Sequence, residues 1–167
     1  EALDFLRRLA VNDAAELDPG RAQYSALCRS DGGVIDDLLV YRFEDHFLLV
    51  VNAANRGRDL AWIRDHAGDF RVDVKDRSEE TALLALQGPR SEAILAPLTD
   101  VGLDTVAYYR FREGSLAGVE TVVSRTGYTG EDGFELYFPA EDGPTVWAAL
   151  MEGGEEQGLV PAGLGCR

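Results

Sequence analysis

The chain has 167 residues, 46% of them hydrophobic, and carries a formal net charge of -14 from 30 acidic side chains against 16 Lys and Arg. That size and apolar content suit one large or two small globular domains, and the acidic balance argues against an unassisted nucleic-acid or anionic-membrane surface. Two widely separated cysteines, Cys28 and Cys166, without a CxxC or a neighbouring histidine, suggest neither a disulfide framework nor a metal site, so a reducing, cytoplasmic setting is the expectation.

In chain order, "EALDFLRRLAV" spaces Leu3, Leu6 and Leu9 for a helix with one apolar face. "RAQYSALCR", "VIDDLLVYRF" and "HFLLVVN" follow as three strands of an antiparallel meander, with Asp31-Gly32-Gly33 and Glu44-Asp45 as turns. "AANRGRDLAWIRDHAG" has helical spacing and stops near Gly68, and "FRVDVKD" alternates like a half-buried strand. A charged break, "RSEE", places a module boundary near residue 80.

The second half repeats this grammar. "TALLALQG" is a strand and "PRSEAILAPL" a helix. "TVAYYRFRE" and "LAGVETVVSR" are expected as strands around a Glu113-Gly114 turn, then "GFELYF" as a strand and "DGPTVWAALMEGGEEQG" as a helix. The expected class is α+β, two small modules of antiparallel sheet with packed helices, spanning 1–80 and 81–167. Neither end looks like a natural terminus, so a piece of a larger multidomain protein is expected.

Two acidic constellations stand out. In "SRTGYTGEDGFELYF" a loop with three glycines runs into a strand on which Glu135 and Tyr137 share one face and Phe134, Leu136 and Phe138 the other. The glycine spacing fits neither dinucleotide nor P-loop fingerprints. Glu135 is then either solvated or set in a cleft beside Tyr128, where a carboxylate suits a ligand with two neighbouring N–H donors, such as a pterin edge. In "GGVIDDLLVY", Asp36 and Asp37 fall on opposite strand faces, so one of them at most enters a given site. An acid there either caps backbone donors at the strand end or stabilises a cation and accepts a proton. Tyr41 shares the Asp37 face and suits a wall for a flat ligand.

Together, "GGVIDDLLVYR", "VVNAANRGRDLAWI" and "SRTGYTGEDGFEL" resemble the aminomethyltransferase (T-protein) family of the glycine cleavage system, and "TALLALQGPRSEAIL", "AGVETVVSRTGYTGEDG" and "PAGLGCR" extend the likeness. "GLGCR" resembles a family "GLGARD" motif, with Cys166 in place of a small residue. The resemblance implies a T-protein-like fold with ferredoxin-like elements, and tetrahydrofolate as cosubstrate without a metal. It also implies lipoylated H-protein as the partner that brings the aminomethyl group, with neither nucleic acid nor membrane involved. It puts the catalytic aspartate on Asp37, the pterin-holding glutamate on Glu135 and a folate-site arginine on Arg167. Tyr24, Tyr41, Asn52 and Tyr128 match folate-lining positions, and the folate is expected between the modules. Two other readings stay open: a relative with a different one-carbon donor, such as a demethylase, and a folate-binding protein without transferase activity.

Overall fold

The computed structural model describes residues 1–166, and it divides into two compact units, Glu1–Asp76 and Arg77–Arg167. Sequence reasoning drew the division at residue 80.

The first unit opens with helix α1, Ala2–Leu9, which buries Phe5, Leu6 and Leu9 on one side. Strands β1, Arg21–Cys28, β2, Val34–Arg42, and β3, Phe47–Val51, form the expected antiparallel meander in the order β1-β2-β3. Helix α2, Arg56–His66, follows a short 3₁₀ turn at Ala53–Asn55. Leu27, Leu38 and Val40 from the sheet, Ile63 from α2 and the α1 residues share one core, so one face of the sheet carries the helices. The register pairs Tyr24 with Leu39 and Leu38 with Val51. Side chains alternate between faces, so Asp36 joins Leu38 and Val40 on the helix side, while Asp37, Leu39 and Tyr41 point the other way with Tyr24 and Asn52.

The second unit begins with β4, Thr81–Gln87, and helix α3, Ser91–Leu95. It continues through β5, Phe111–Leu116, β6, Val119–Ser124, and β7, Gly133–Pro139, to helix α4, Gly143–Gly154. Its sheet is antiparallel throughout, in the order β4-β7-β6-β5. Phe134, Leu136 and Phe138 pack with Val123, Ile94, Leu95, Val146 and Leu150 in a second core. Glu135 and Tyr137 therefore take the face away from the helices.

Three expectations need correction. "FRVDVKD" forms no strand: Phe70, Val72 and Val74 pack on the first core, but the backbone has no ladder partner. Alternation reports burial, and burial without an adjacent strand edge makes only an extended segment. The hairpin turn lies not at Glu113-Gly114 but at Ala117-Gly118, where both residues have positive φ, 51° and 82°. Leu116 pairs with Val119, a two-residue loop of the kind that suits the strand twist, and Gly114 sits inside β5 opposite Thr121. Tyr108 and Tyr109 precede β5 instead of belonging to a strand, because Tyr109 adopts φ 60° and turns the chain.

Candidate functional site

In the first unit the side chains around Asp37 form one hydrogen-bonded group. The Tyr24 hydroxyl donates to Asp37 Oδ2 at 2.6 Å, and the Asn52 amide donates to Asp37 Oδ1 at 2.6 Å. Both carboxylate oxygens are thus fixed by donors, one from β1 and one from just past the end of β3. A carboxylate held this way is an oriented anion. Tyr41 lies on the same face and is fully buried, while Tyr24 is 53% exposed, so the Asp37 site is open at the Tyr24 side.

Asp36 faces the helices, yet the same Asn52 amide reaches it. Asn52 Nδ2 lies 3.1 Å from Asp36 Oδ1, and Asn55 Nδ2 donates to Asp36 Oδ2 at 2.9 Å. The two acids occupy opposite faces and are joined end-on through Asn52. Burial pushes Asp36 up, but its interactions with the Asn55 amide, the Asp59 side chain and the Asn52 amide outweigh it and hold the carboxyl below its usual range. Sequence reasoning overlooked both Asn55 and Asp59; the signal was their four-residue spacing, which puts them one helical turn apart on the same side.

In the second unit Glu135 is 4% exposed, which excludes the solvated alternative. Thr126 Oγ1 makes a short hydrogen bond to Glu135 Oε2, and the Tyr137 hydroxyl approaches the same oxygen at 3.4 Å. Ser124 Oγ lies 2.9 Å from Thr126 Oγ1. Among the described residues no hydrogen bond reaches Oε1, so part of the accepting capacity is left for a ligand.

The loop over Glu135 is clamped at its base. Arg125 Nε donates to Asp132 Oδ1 at 2.9 Å, and Nη2 bonds both Asp132 and, at 2.7 Å, Glu92. These bonds raise the Arg125 pKa above its ordinary value, and the Arg125 hydrogen bond holds Asp132 below the usual carboxylate range. The Gln87 amide donates to the carbonyls of Thr126 and Phe134, each at 3.1 Å. A Cβ on Gly127 would fall on that Gln87 side chain, and one on Gly133 would lie 2.7 Å from the Leu86 carbonyl oxygen. These two glycines give close approach to β4; they do not cradle a phosphate. Tyr128, near the loop tip, is 63% exposed.

Tyr109 was missed at the sequence level because "AYYR" looks like strand. Burial, then the neighbouring Tyr108 and Glu135, push its hydroxyl up. Its left-handed φ is uncommon for a non-glycine residue, and its hydroxyl feels the charge of the buried Glu135. Arg167 lies outside the described residues. Among the described residues no group of three or more His, Cys, Asp and Glu side chains could hold a metal ion, and no helix is long and apolar enough to cross a membrane.

The sequence matches the GCVT N-terminal domain over residues 1–167. It is 55% identical to an aminomethyltransferase of Moorella thermoacetica over 168 residues, covering 100% of this chain and 46% of that protein. To an aminomethyltransferase of Bacillus subtilis it is 47% identical over 170 residues, with 100% and 46% covered. The chain therefore spans about half the length of the curated relatives it matches. The crystal structure of glycine cleavage system aminomethyltransferase T from Bartonella henselae superposes with a TM-score of 0.76 at 31% identity, covering 89% of this chain and 40% of that one. A heterotetrameric sarcosine oxidase from Corynebacterium shares the fold at a TM-score of 0.62 and 19% identity, covering 87% of this chain and 70% of that one.

Proposed function

The chain belongs to the GCVT N-terminal domain family, and from that membership we propose that it carries catalytic and folate-binding residues of a cytoplasmic, tetrahydrofolate-dependent aminomethyltransferase of the glycine cleavage system. Its substrates are H-protein carrying an aminomethyl group on its lipoyl arm and tetrahydrofolate; its products are ammonia, 5,10-methylenetetrahydrofolate and H-protein with the lipoyl arm left as the dithiol. The observation that carries this reading is the Asp37 carboxylate, held on both oxygens by Tyr24 and Asn52 and still open to one side.

When folate N5 attacks the aminomethyl carbon as ammonia leaves, or attacks the iminium formed when the C–S bond breaks and the lipoyl thiolate departs, positive charge builds at N5 and a proton must leave. Asp37 stabilises that charge as a pre-oriented anion and accepts the proton. Tyr24 and Asn52 fix its oxygens, so little reorganisation accompanies the charge change. Tyr41 lies on the Asp37 face but is fully buried, so it backs the site from beneath and presents no free ring to a ligand. Glu135 takes the pterin edge: a buried carboxylate with an oxygen to spare accepts the two adjacent N–H groups of a 2-amino-4-oxo-pyrimidine. Tyr128 closes over that edge from the loop, and Arg167 pairs with an anionic part of the folate.

Calorimetric titration of tetrahydrofolate into the protein carrying this chain, beside its Glu135→Ala variant, tests the reading. Saturable binding that the variant weakens about 10- to 100-fold supports it. A folded wild-type protein that binds no tetrahydrofolate would remove the transferase reading, and undiminished affinity in the variant would remove Glu135 from the pterin edge.

A further inference from the structure

Asp59 is a fully buried carboxylate that the chemistry above does not use. It has no accessible surface, and neither of its oxygens accepts a hydrogen bond among the described residues. Such a group in anionic form is costly, because burial removes its water and nothing replaces it. Its surroundings make the cost larger. Asn55, the residue just before α2, lies one helical turn from Asp59 on the same side, and Asn55 already donates to Asp36. Asp59 therefore stands against Asp36, within hydrogen-bonding reach of it. The charged groups facing Asp59 are Asp36 from β2 and Arg58 from its own helix, whose Nε is 3.6 Å from Asp59 Oδ1. Arg58 is over half exposed and spends one donor on the Ile35 carbonyl, so it compensates little.

Two adjacent carboxylates with so little cationic support retain a proton between them. Asp36 already accepts from Asn52 and Asn55, so the proton belongs on Asp59, where it turns an orphaned acceptor into a donor. We propose that Asp59 is a positioning residue: protonated, it donates to Asp36, which fixes the Asn52 amide and through it the orientation of Asp37. The link runs through one atom, since Asn52 Nδ2 touches Asp36 Oδ1 at 3.1 Å and Asp37 Oδ1 at 2.6 Å. Burial and then the Asp36 neighbour push Asp59 up to about 6, so the proton is held below that pH and shed above it. The effect on catalysis rests on Asp37 acting in the proposed transfer; the proton on Asp59 does not.

The two parts separate experimentally. A group whose folded-state pKa is raised stabilises fully below the unfolded value and loses that stabilisation as pH rises through the folded one. Wild-type thermal stability should thus fall, relative to Asp59→Asn, as pH rises through about 6. The variant keeps a donor at every pH and has no proton to lose. A stability difference that stays flat from about pH 5 to about pH 8 overturns the protonated assignment. For positioning, Asp59→Asn should keep kcat within about threefold and lose the wild-type pH–rate limb near 6. Asp59→Leu should lower kcat about tenfold with unchanged tetrahydrofolate affinity. Superimposable pH–rate profiles for wild type and Asp59→Asn overturn the positioning role. If Asp59→Leu does not fold, Asp59→Asn still decides both parts. Full activity in Asp37→Asn would instead remove the transfer reading and leave the stability result standing.

Discussion

The two units each place a carboxylate on the sheet face away from the helices, and they treat it in opposite ways. Asp37 is held on both oxygens by strong donors and stays open on the Tyr24 side. Glu135 is enclosed, with its two hydrogen bonds gathered on one oxygen. The first arrangement fixes the direction of a charge and leaves it reachable, which suits a reacting centre. The second excludes water and leaves accepting capacity unspent, which suits recognition of a fixed donor pair. The supports differ too: an amide and a phenol in the first unit, hydroxyls and a clamped loop in the second.

The largest expected effect that separates them is on turnover. Asp37→Asn keeps the shape of the site and loses the charge, so kcat should fall about 10² to 10³-fold while tetrahydrofolate affinity stays within about threefold. Steady-state kinetics beside equilibrium binding measures both, and parallel losses would make Asp37 a binding residue like Glu135.

Next comes the loop that roofs Glu135. Gly133→Ala drives a Cβ toward the Leu86 carbonyl on a paired strand that cannot retreat. It should cost about 1–3 kcal/mol in denaturant unfolding. An unchanged midpoint would mean that the close packing of β7 on β4 is not needed to hold the glutamate.

A smaller effect appears on acidification. Arg125 holds the Asp132 carboxyl below its usual range. That contribution is complete above the ordinary carboxylate pKa and is lost as pH falls through the lowered one. Asp132→Asn should therefore flatten the acid limb of the thermal-stability profile, with a modest change because Asp132 is partly exposed. A limb of unchanged steepness would assign acid sensitivity elsewhere.

The smallest effect tests redundancy at Asp37. Tyr24→Phe removes one of two donors and should lower kcat about 3- to 10-fold, less than the charge change. A loss as large as that of Asp37→Asn would make Tyr24 more than an orienting donor.

Much of this arrangement was legible in the sequence, because period-two and period-3.6 patterns report which side chains are buried. The meander, the four α-helices of the described residues and the facing of Glu135 with Tyr137 follow from that rule. Patterns fail where burial and pairing separate. Phe70, Val72 and Val74 are packed without a sheet neighbour, and Ala117-Gly118 turns the chain although Glu113-Gly114 has the more familiar composition. Asp59 and Tyr109 were hidden for another reason. An acid inside a helical repeat looks solvated until the strand beneath it proves to carry Asp36, and a tyrosine doublet looks like strand until its φ is known.

The most direct test of the division of labour crosses the two acids. Tetrahydrofolate affinity and kcat are measured on wild type, Asp37→Asn and Glu135→Ala in the protein carrying this chain, with aminomethylated H-protein as donor. Asp37→Asn should lose turnover and keep affinity, while Glu135→Ala should lose affinity and recover most of its kcat at saturating tetrahydrofolate. If both variants lose affinity and turnover in the same proportion, the acids do not hold separate roles and the account of this site is wrong.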